Sequence, residues 1–334
     1  MNIPAVSVLM ITYGQENYIR QAINGVLMQE CNFDVELIIA NDCSPDNTDK
    51  IIQDVLKTHS HTSWVKYIKH EKNLGMISNY IHALQKSTGK YIAICEGDDY
   101  WIDPLKLQKQ FDILENNPEY KFCVTNLNFY NQGSSKYENS ILNTPKKPLY
   151  FNIEDFLVKK GFMAPCTWFG SKECFFLTSI DEIQTDGTFA IFMDVLQYTK
   201  VYFLDETTSV YRILQESASH SSSVLKKYNF IKGLYKTQLY YIGKYNLNNL
   251  KKKVHQDYIN TVINIFNGFY QNKELLEIVE LLKDDFNSDD TVLIMQGIIN
   301  CYQNKLLQIN NSKSMLIGKI ITKPFVKIIK KING

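Results

Sequence analysis

The 334-residue sequence predicts an α/β protein whose N-terminal part forms an open, mostly parallel sheet with helices on both faces. Short apolar runs alternate with segments of helical periodicity through the first hundred residues, which is the pattern of β-α-β units. The apolar runs lack the polar alternation of a one-sided sheet, so helices should cover both of their faces. From about residue 224 onward helical patterns dominate, which predicts an α-helical C-terminal region.

The alternating elements follow one another with short connections. The first apolar run, VSVLMIT, predicts a buried strand, and Ile19, Ile23 and Val26 then recur on one face of a helix. The predicted strands are 6–12, 35–40, 65–69 and 91–95, and the predicted helices between them are 17–29, 49–57 and 76–86. Strands joined by crossover helices are typical of a parallel sheet.

The pattern becomes less regular after residue 100. The further predictions are a helix over 106–115, strands over 122–129 and 200–204, and a polar surface loop over 132–148. We therefore expect one α/β domain over residues 1–223 and a helical region over residues 224–334.

Composition excludes several function classes. The net charge of +1 gives no global attraction to nucleic acid, so we expect no nucleic-acid partner. None of the seven cysteines shows metal-site spacing, and we interpret them as reduced thiols of a cytosolic protein. No basic leader precedes the first strand, and no stretch approaches the roughly 20 apolar residues of a membrane span. The sequence therefore predicts a cytoplasmic protein.

The C-terminal tail has a different character. Between residues 313 and 331, six lysines and no acid accompany isoleucines at helical spacing. A basic amphipathic helix, kinked at Pro324, suits the surface of an anionic membrane. A terminal helix docked on the protein with its lysines in water is the alternative. We expect peripheral contact with the cytosolic face of a membrane through this tail.

Polar residues follow the predicted strands where each strand ends. Ligands of open α/β sheets bind at this edge. The ends carry, in order, Thr12-Tyr13, Asn41-Asp42, the stretch Asn73-Leu74-Gly75 beyond the third strand, and Glu96-Gly97-Asp98-Asp99. An aromatic ring, a glycine and several acids should therefore meet in one site.

The fourth strand end holds three carboxylates within four residues, those of Glu96, Asp98 and Asp99. Carboxylates this close repel one another unless a cation neutralises them. A divalent metal with oxygen ligands, completed by phosphates, fits an apolar strand that runs into acids. The alternative is a solvated acidic turn that caps the next helix. We favour a site for Mn²⁺ or Mg²⁺.

Two other nucleotide-binding classes fit the first turn poorly. A dinucleotide-binding domain needs G-x-G-x-x-G there, so that the backbone can approach a pyrophosphate. The turn reads TYGQEN and has a single glycine, Gly14, which excludes that reading. A nucleotidyltransferase would need a glycine-rich, basic phosphate loop, and only Gly14 and Arg20 lie there.

Four motifs, in order and at familiar spacing, give the sequence a family resemblance. They are VSVLMITYGQENYIRQAI, ELIIANDCSPDNT, NLGMISN and EGDDYWIDPLKLQKQ. With them the sequence resembles family 2 glycosyltransferases with the GT-A fold, over residues 4–215. The resemblance implies an inverting enzyme of surface polysaccharide biosynthesis. Its donor would be a nucleotide diphosphate-sugar, UDP- or dTDP-linked, and its acceptor a glycan or lipid-linked glycan.

The resemblance assigns the base of the nucleotide to the first two strand ends. Thr12 and Tyr13 are expected to line the base, and Asp42 to form a hydrogen bond with it. Simpler alternatives exist for two of them. Tyr13 could be a packed aromatic at the sheet edge, and Asp42 could cap the helix near Asp49 or hold the 44–46 turn.

The remaining donor contacts fall on the third and fourth motifs. The resemblance implies that Asn73, Gly75 and Asn79 lie beside the nucleotide. It further implies that Asp98 binds the ribose and that Asp99 binds the metal. Gly75 could equally be only a turn glycine.

Two positions depart from the family pattern. Family members usually carry an Asp, the general base, just before an apolar helix, and Thr188 occupies that position here. Asp186 is the nearest carboxylate on the N-terminal side and Asp194 lies inside the helix, so we expect Asp186 to be the base. The closing motif usually ends in His, where this sequence has Leu214, with His220 six residues later.

Two more residues are implied, and a second function class stays open. Arg212 is expected to assist the diphosphate, and Trp101 either lies near the donor sugar or acceptor or simply packs in the core. The departures at Thr188 and Leu214 would also suit a catalytically inactive sugar-nucleotide-binding or scaffold protein. Donor binding without turnover would identify that class.

Overall fold

A computed structural model gives the fold of the chain. It describes residues 3–138, 142, 144–145, 148–178, 186–214, 223–266, 282, 285–287, 289–298 and 300. Two of the predictions, the role of His220 and the amphipathic helix of residues 313–331, lie outside the described residues.

The first half of the sheet is parallel, as the sequence predicts. Its strands are β1 (Val6–Thr12), β2 (Val35–Asn41), β3 (Val65–Lys69) and β4 (Tyr91–Ile94), and its helices are α1 (Ile19–Leu27), α2 (Thr48–Thr58) and α3 (Met76–Lys86). The strands lie in the order β3-β2-β1-β4, with every neighbour parallel. The carboxyl ends of β1, β2 and β4 therefore meet at one edge.

The second half of the sheet is mixed. It contains β5 (Tyr100–Trp101), α4 (Lys106–Asn116), β6 (Tyr120–Asn131), β7 (Lys136–Glu138), α5 (Ile153–Lys159), β8 (Phe169–Ser171), α6 (Gly187–Tyr198) and β9 (Lys200–Ile213). The order continues β4-β8-β6-β9-β5, and β7 pairs with β6. The β6–β9 pair is parallel, whereas β4–β8, β6–β8, β5–β9 and β6–β7 are antiparallel. The α/β fold class is confirmed, and the parallel character is strongest over the first four strands.

Two strands differ from their predicted extent. Strand β7 lies inside the predicted loop 132–148, because a turn after Asn131 folds the chain back onto the end of β6. Strand β9 runs to Ile213 and not only to residue 204, because its polar second part pairs with β6 and β5. The residues DETTS, 205–209, do not by themselves predict a strand, and pairing with two neighbouring strands stabilises this part of β9.

Helices cover both faces of the sheet. One face of β1, formed by Val6, Val8 and Met10, belongs to a core that also contains the buried sides of α1, α2 and α4. Helix α3 contacts β1 and β2, and Ala83 and Leu84 are buried there. This is the two-sided burial that the uninterrupted apolar runs predict.

The chain divides into two compact units. The first comprises Met1–His220 and Lys236–Leu250, and the second comprises Ser221–Tyr235 and Lys251–Gly334. Helix α7 (Val224–Lys244) thus contributes to both, and α8 (Lys251–Phe266) belongs to the second. Within the part of the chain that the structure describes, no helix is long and apolar enough to cross a membrane.

Candidate functional site

The loops that follow β1 and β2 are joined by hydrogen bonds. The N–H of Gly14 donates to Oγ of Ser44 at 3.0 Å, and the N–H of Glu16 donates to Oδ2 of Asp46 at 3.0 Å. Gly14 has a φ of +66°, which favours glycine. These bonds fix the turn that carries Tyr13, whose side chain is 50% exposed.

Asp42 is tied to the loop beyond β3. Its Oδ1 accepts from the N–H of Leu74 at 2.7 Å, and its Oδ2 accepts from the N–H of Gly75 at 2.9 Å. The same N–H of Gly75 donates to Oδ1 of Asn73 at 2.9 Å, and the N–H of Asp42 donates to the carbonyl of Thr12. The structure therefore brings Thr12, Asp42, Asn73 and Gly75 together at the sheet edge.

Other residues perform the simpler tasks that Asp42 could have had. Oδ1 of Asn41 accepts from both the N–H and the hydroxyl of Ser44, and so holds the 44–46 turn. Oδ1 of Asp46 accepts from the N–H of Thr48 at the start of α2. Asp42 is 2% exposed and is instead the link between the second strand and the 73–75 loop.

Asn79 holds helix α3 against the sheet. Its Nδ2 donates to the carbonyl of Ala40 at 2.9 Å, and its Oδ1 lies 3.0 Å from Nε2 of His70. The side chain is 2% exposed. Asn79 was predicted to contact the donor. Its side-chain amide instead faces the sheet and not the 73–75 loop, so it serves to pack helix α3.

The acid turn, residues 96–99, packs directly on the end of β1. A Cβ atom on Gly97 would lie 2.9 Å from Oγ1 of Thr12 and 2.3 Å from Oε1 of Gln15, so only glycine allows this approach. Asp99 is 2% exposed, and its Oδ1 accepts from the N–H of Arg212 at 2.8 Å. Its buried Oδ2 has no hydrogen-bond partner, although the thiol of Cys166 is near enough to the carboxylate to oppose the rise in the pKa of Asp99.

The acids in and around this turn perturb one another. Burial, followed by the charges of Asp98 and Asp186, raises the pKa of Glu96 to about 8. Burial, followed by the charges of Asp98 and Glu96, raises the pKa of Asp99 well above its ordinary value. Burial also raises the pKa of Asp98, although Arg212 opposes the shift. Arg212 is one cation beside three clustered carboxylates, and an excess of buried negative charge is the environment that a metal ion relieves.

Arg212 is enclosed beside the acid turn. Its Nε donates to the carbonyl of Asp98 at 2.8 Å, and its terminal nitrogens donate to Oε1 of Gln132 and Oε1 of Gln21. Its guanidinium also lies over three rings, those of Tyr18, Tyr100 and Tyr130. At 7% exposure Arg212 holds the acid turn in place, and its predicted contact with a diphosphate stays a prediction.

Asp186 begins helix α6. Its Oδ1 accepts from the N–H of Thr188 at 3.0 Å, from the N–H of Phe189 at 3.2 Å and from the hydroxyl of Thr188. The charge of Asp186 is close enough to the acid turn to raise the pKa of Glu96. The geometry thus brings Asp186 toward the acids, with Thr188 bonded to it.

Two other predicted candidates are structural. Asp194 is 2% exposed and accepts hydrogen bonds from the hydroxyl of Tyr241 and from Nζ of Lys244, so it anchors α6 within its unit. Trp101 is also 2% exposed, and its Nε1 donates to the carbonyl of Cys166 at 2.8 Å. Trp101 therefore packs in the core, as the simpler alternative has it.

The donor atoms suit a divalent cation only if another molecule completes its shell. Asp98 and Asp99 offer hard oxygen atoms, and Oδ2 of Asp99 is unbonded. The described residues contain no group of three His, Cys, Asp or Glu side chains placed to hold a metal ion. Mn²⁺ and Mg²⁺ are commonly held by one or two carboxylates together with phosphate oxygens, which fits this set.

Glu96 is the site residue that sequence reasoning left without a role. It lies in the same acid turn, and the charges of both Asp98 and Asp186 act on it. The signal was present in the motif, since Glu96 is the first of the three clustered acids. Its relation to Asp186 could not be found from sequence, because the two residues are 90 positions apart.

Comparison with known proteins agrees with this geometry. The family model described as "Glycosyl transferase family 2" matches residues 7–175, which include both the 73–75 loop and the acid turn. The chain belongs to glycosyl transferase family 2. The resemblance and the GT-A-like fold expected from the motifs are thereby confirmed.

Similar proteins differ in how much of their length they share with this chain. A Mycobacterium tuberculosis H37Rv protein without a characterised function is 42% identical over 118 residues, 35% of this family 2 chain and 34% of that protein. The match thus spans about a third of that relative's length. TuaG of Bacillus subtilis strain 168, a glycosyltransferase assigned to teichuronic acid biosynthesis, is 27% identical over 65% of this chain and 82% of its own.

Solved structures share the fold at low sequence identity. Residues 1–349 of S. aureus TarS in complex with UDP-GlcNAc have a TM-score of 0.54 at 14% identity, over 93% of each chain. The mannosyltransferase PcManGT of Pyrobaculum calidifontis, in complex with GDP-Man and Mn²⁺, has a TM-score of 0.50 at 10% identity, over 89% of this chain and 80% of its own. At these identities the likeness concerns the fold.

Proposed function

We propose that this family 2 protein is an inverting glycosyltransferase. It takes a sugar from a nucleotide diphosphate-sugar, UDP- or dTDP-linked, and transfers it to an acceptor hydroxyl in surface polysaccharide biosynthesis. The observation that carries the proposal is the convergence of three features at one sheet edge. These are the 73–75 loop held by Asp42, the acid turn with an unbonded Oδ2 on Asp99, and the carboxylate of Asp186.

The nucleotide would bind across the ends of β1 and β2. The half-exposed ring of Tyr13 offers an apolar face for the base, beside Thr12. Each oxygen of Asp42 accepts one backbone N–H and keeps a second lone pair for a donor on the base. Asn73 and Gly75 form the loop beside the nucleotide, and Asp98 is assigned to the ribose hydroxyls.

The diphosphate would lie against the acid turn together with a divalent cation. Asp99 is assigned to hold Mn²⁺ or Mg²⁺ through its unbonded Oδ2, with phosphate oxygens completing the shell. When bound, the metal supplies positive charge that stabilises the leaving diphosphate. Arg212 supports this arrangement indirectly, because it fixes both Asp98 and Asp99 through hydrogen bonds.

The transfer step is a single in-line displacement. The acceptor oxygen attacks the anomeric carbon from the face opposite the diphosphate, and the proton of the acceptor hydroxyl passes to the carboxylate of Asp186. The bond between the anomeric carbon and the diphosphate oxygen breaks, and its electron pair leaves with the diphosphate. Attack from the opposite face inverts the anomeric configuration.

Asp186 is suited to the role of the base by its place at a helix start. The backbone N–H groups of Thr188 and Phe189 donate to its carboxylate and hold it at the first turn of α6. The three hydrogen bonds all fall on Oδ1, so Oδ2 is the oxygen assigned to the acceptor.

The similar proteins support the choice of donor and pathway. The TarS structure is a complex with UDP-GlcNAc, and TuaG is assigned to teichuronic acid, a surface polymer. The PcManGT structure is a complex with GDP-Man and Mn²⁺, which supports the proposal of a divalent metal. Because its donor is GDP-linked, GDP-sugars should be tested together with UDP- and dTDP-sugars. The acceptor is proposed to be a glycan or lipid-linked glycan.

Domain roles and location are proposed from the sequence. Residues 1–223 would form the catalytic domain and residues 224–334 the helical region, whose basic tail would contact the cytosolic face of a membrane. The reaction would then take place in the cytoplasm, next to a membrane-bound acceptor.

A catalytically inactive sugar-nucleotide-binding protein is the second candidate. It is favoured by Thr188 and Leu214, which stand where family members usually have the base and a His. Such a protein would bind the donor as tightly and release no free nucleotide diphosphate.

A thermal-shift screen tests the proposal. UDP-, dTDP- and GDP-linked sugars are each added with Mn²⁺, with Mg²⁺ and with EDTA, and hits are followed by release of nucleotide diphosphate. Binding at one hundred times Kd stabilises the folded state by about 2.7 kcal/mol. We expect a metal-dependent shift with a UDP- or dTDP-sugar, followed by turnover. Binding without turnover would favour the inactive protein, and no shift with any donor would contradict both candidates.

A further inference from the structure

An exposed aromatic ring, that of Phe162, lies beside the last residues of β9. Phe162 is 44% exposed and belongs to the turn that follows α5. Its ring centroid lies 5.4 Å from that of Tyr211, with the two rings nearly perpendicular, and 6.1 Å from that of Phe129. Phe129 and Tyr211 are paired across β6 and β9, and their centroids are 5.7 Å apart. The sheet therefore supports the Phe162 ring from behind, while part of the ring faces solvent.

One side of this aromatic cluster adjoins the acid turn. The antiparallel pairing of β5 with β9, continued by one residue beyond Tyr100, sets Asp99 opposite Tyr211. The N–H that donates to Oδ1 of Asp99 belongs to Arg212, the next residue after Tyr211. Phe162 therefore packs on the residue that lies directly beside the proposed metal ligand.

Another side of the cluster is fixed to the start of α6. Gly161 packs closely on the ring of Phe156, because a Cβ atom on Gly161 would lie 2.3 Å from Cδ2 of that ring. The ring of Phe156 stacks on that of Phe189, with centroids 5.3 Å apart and planes at 20°. The N–H of Phe189 in turn donates to Oδ1 of Asp186, the assigned base. The turn that carries Phe162 is thus packed against the helix end that carries Asp186.

We propose that Phe162 is an acceptor-binding residue, on whose ring a pyranose of the acceptor stacks next to the hydroxyl that is glycosylated. The inference rests on the proposed function and adds to it a residue for the acceptor and the chemical group which that residue recognises. In the proposed reaction the acceptor hydroxyl lies between the metal ligand Asp99 and the base Asp186. The ring of Phe162 is an exposed apolar surface held close to both.

A single exposed ring suits a pyranose better than a long alkyl chain. The face of an aromatic ring carries negative charge density, and the axial C–H bonds of a pyranose present a weakly positive, ring-sized apolar face to it. An alkyl chain would need a longer apolar surface, and the neighbouring Phe129 is only 6% exposed. The hydroxyl groups at the edge of a stacked sugar remain free to reach the polar groups of the acid turn.

Saturation-transfer NMR on the full chain tests the inference. The ligands are the methyl pyranosides of D-glucose, D-galactose, D-mannose and N-acetyl-D-glucosamine, and the control is D-glucitol, a linear polyol without a pyranose face. Each ligand is measured alone and with UDP, dTDP or GDP in the presence of Mn²⁺. We expect at least one pyranoside to bind, with the strongest saturation at the axial C–H protons of one face, and D-glucitol to bind at least about threefold more weakly.

Three variants locate the contact. Phe162→Leu keeps an apolar side chain on Tyr211 and Phe129 but removes the ring, so it should weaken pyranoside binding about three- to tenfold, the range that aromatic contacts add beyond burial. Phe162→Tyr keeps the ring and should bind as the unmodified chain does. Phe151→Leu makes the same change at a ring of similar exposure, 37%, and should leave binding unchanged. Phe151 packs on Phe203, eight residues before Tyr211 on β9.

Binding of none of the pyranosides, equal binding of D-glucitol, or pyranoside binding that Phe162→Leu leaves unchanged would overturn the inference. It is also overturned if Phe162→Tyr loses as much binding as Phe162→Leu, because binding would then not depend on the ring. Thermal melting shows that each variant is folded. The nucleotide-sugar thermal shift is measured in the same variants and should match that of the unmodified chain. If that shift is present and no pyranoside depends on Phe162, only the acceptor inference fails. If no nucleotide sugar binds to the unmodified chain, the proposed function itself fails.

Discussion

The backbone N–H of Arg212 donates to Oδ1 of Asp99 at 2.8 Å, and it does so from a strand that is 113 residues further along the chain. The guanidinium of the same residue donates through Nε to the carbonyl of Asp98. Strand β9 therefore fixes the orientation of the acid turn at two points. Oδ1 of Asp99 is thus engaged by the backbone, whereas its buried Oδ2 has no hydrogen-bond partner and is the oxygen on which the proposed metal contact depends.

The first prediction concerns Asp99→Asn. The amide oxygen can still accept from Arg212, so the fold should persist, but the carboxylate charge is lost. We expect the metal-dependent part of nucleotide-sugar binding to weaken by more than about tenfold, the lower end of the scale on which even outer-shell metal partners act. Isothermal titration with and without Mn²⁺ measures it. Metal-dependent binding at unmodified affinity would contradict the assignment of Asp99.

The second prediction concerns Asp42→Ala. The change removes the acceptor for two backbone N–H groups of the 73–75 loop as well as the proposed bond to the base. We expect free nucleotide to bind more weakly by about 1–3 kcal/mol. Isothermal titration measures it, and Asp112→Ala, which removes an exposed side-chain contact to Gln108 on helix α4, is the control. Unchanged affinity in Asp42→Ala would mean that this carboxylate serves the loop alone.

The third prediction uses pH and Lys106. This residue is fully buried, and its Nζ donates to Gln110 and lies over the ring of Trp101. Burial lowers its pKa from 10.5 to about 8, so between these two values the unfolded chain binds the proton more readily than the folded one. The contribution of Lys106 to the free energy of unfolding must therefore rise with pH across that window. The shift corresponds to a gain on the order of 3 kcal/mol between pH 7 and pH 11.

Comparison with Lys106→Met isolates this contribution. Urea unfolding of both proteins is measured from pH 7 to pH 11, and the difference in the free energy of unfolding between them is followed. That difference should move in favour of the unmodified chain as pH rises, whatever its value at pH 7. A difference that stays constant with pH would show that Lys106 titrates normally in the folded state.

The sequence locates the candidate site best where polar residues directly follow an apolar strand. Strands β1, β2 and β4 are uninterrupted apolar runs, so the positions of Thr12, Asp42 and Asp99 near their ends follow from the apolar pattern, whereas their roles come from the family resemblance. Asn79 and Trp101 are different, because their packing depends on partners far along the chain, Ala40 and Cys166. A polar or aromatic residue close to a motif gives no sign of which way its side chain points.

The second half of the sheet shows the same limit at the level of strands. The sequence predicts a strand only to residue 204, yet after an irregularity at Asp205 and Glu206 the chain pairs with β6 again from Thr207 and with β5 at Ser209 and Val210. The register of that pairing is what sets Arg212 against the acid turn. Such register is fixed by tertiary contacts and cannot be derived from the hydrophobic pattern of one strand.

The last prediction concerns the base. Asp186→Asn should cut turnover by at least ~10² while sparing donor binding, the usual scale for loss of a general base. The structure makes this substitution unusually clean, because Asn caps a helix as well as Asp does and its amide oxygen can accept from Thr188 and Phe189. Steady-state transfer and donor titration, run side by side, measure the two effects separately.

Substitutions at two neighbouring residues serve as controls, and a different result is expected from each. Thr188→Ala removes one bond to Asp186 and should lower turnover far less than Asp186→Asn does. Asp194→Asn disturbs the buried contacts to Tyr241 and Lys244. It should therefore lower the melting temperature, with little effect on the turnover of the folded protein. If Asp186→Asn turns over normally while a folded Asp194→Asn does not, the base is Asp194 and the N-terminal position of Asp186 on α6 is only a cap. If none of the variants changes a measurable rate, the proton leaves by a route without a carboxylate on this helix. If the unmodified chain shows no transfer with any donor or acceptor, the inactive sugar-nucleotide-binding protein is favoured, and Thr188 at the family's base position is its simplest explanation.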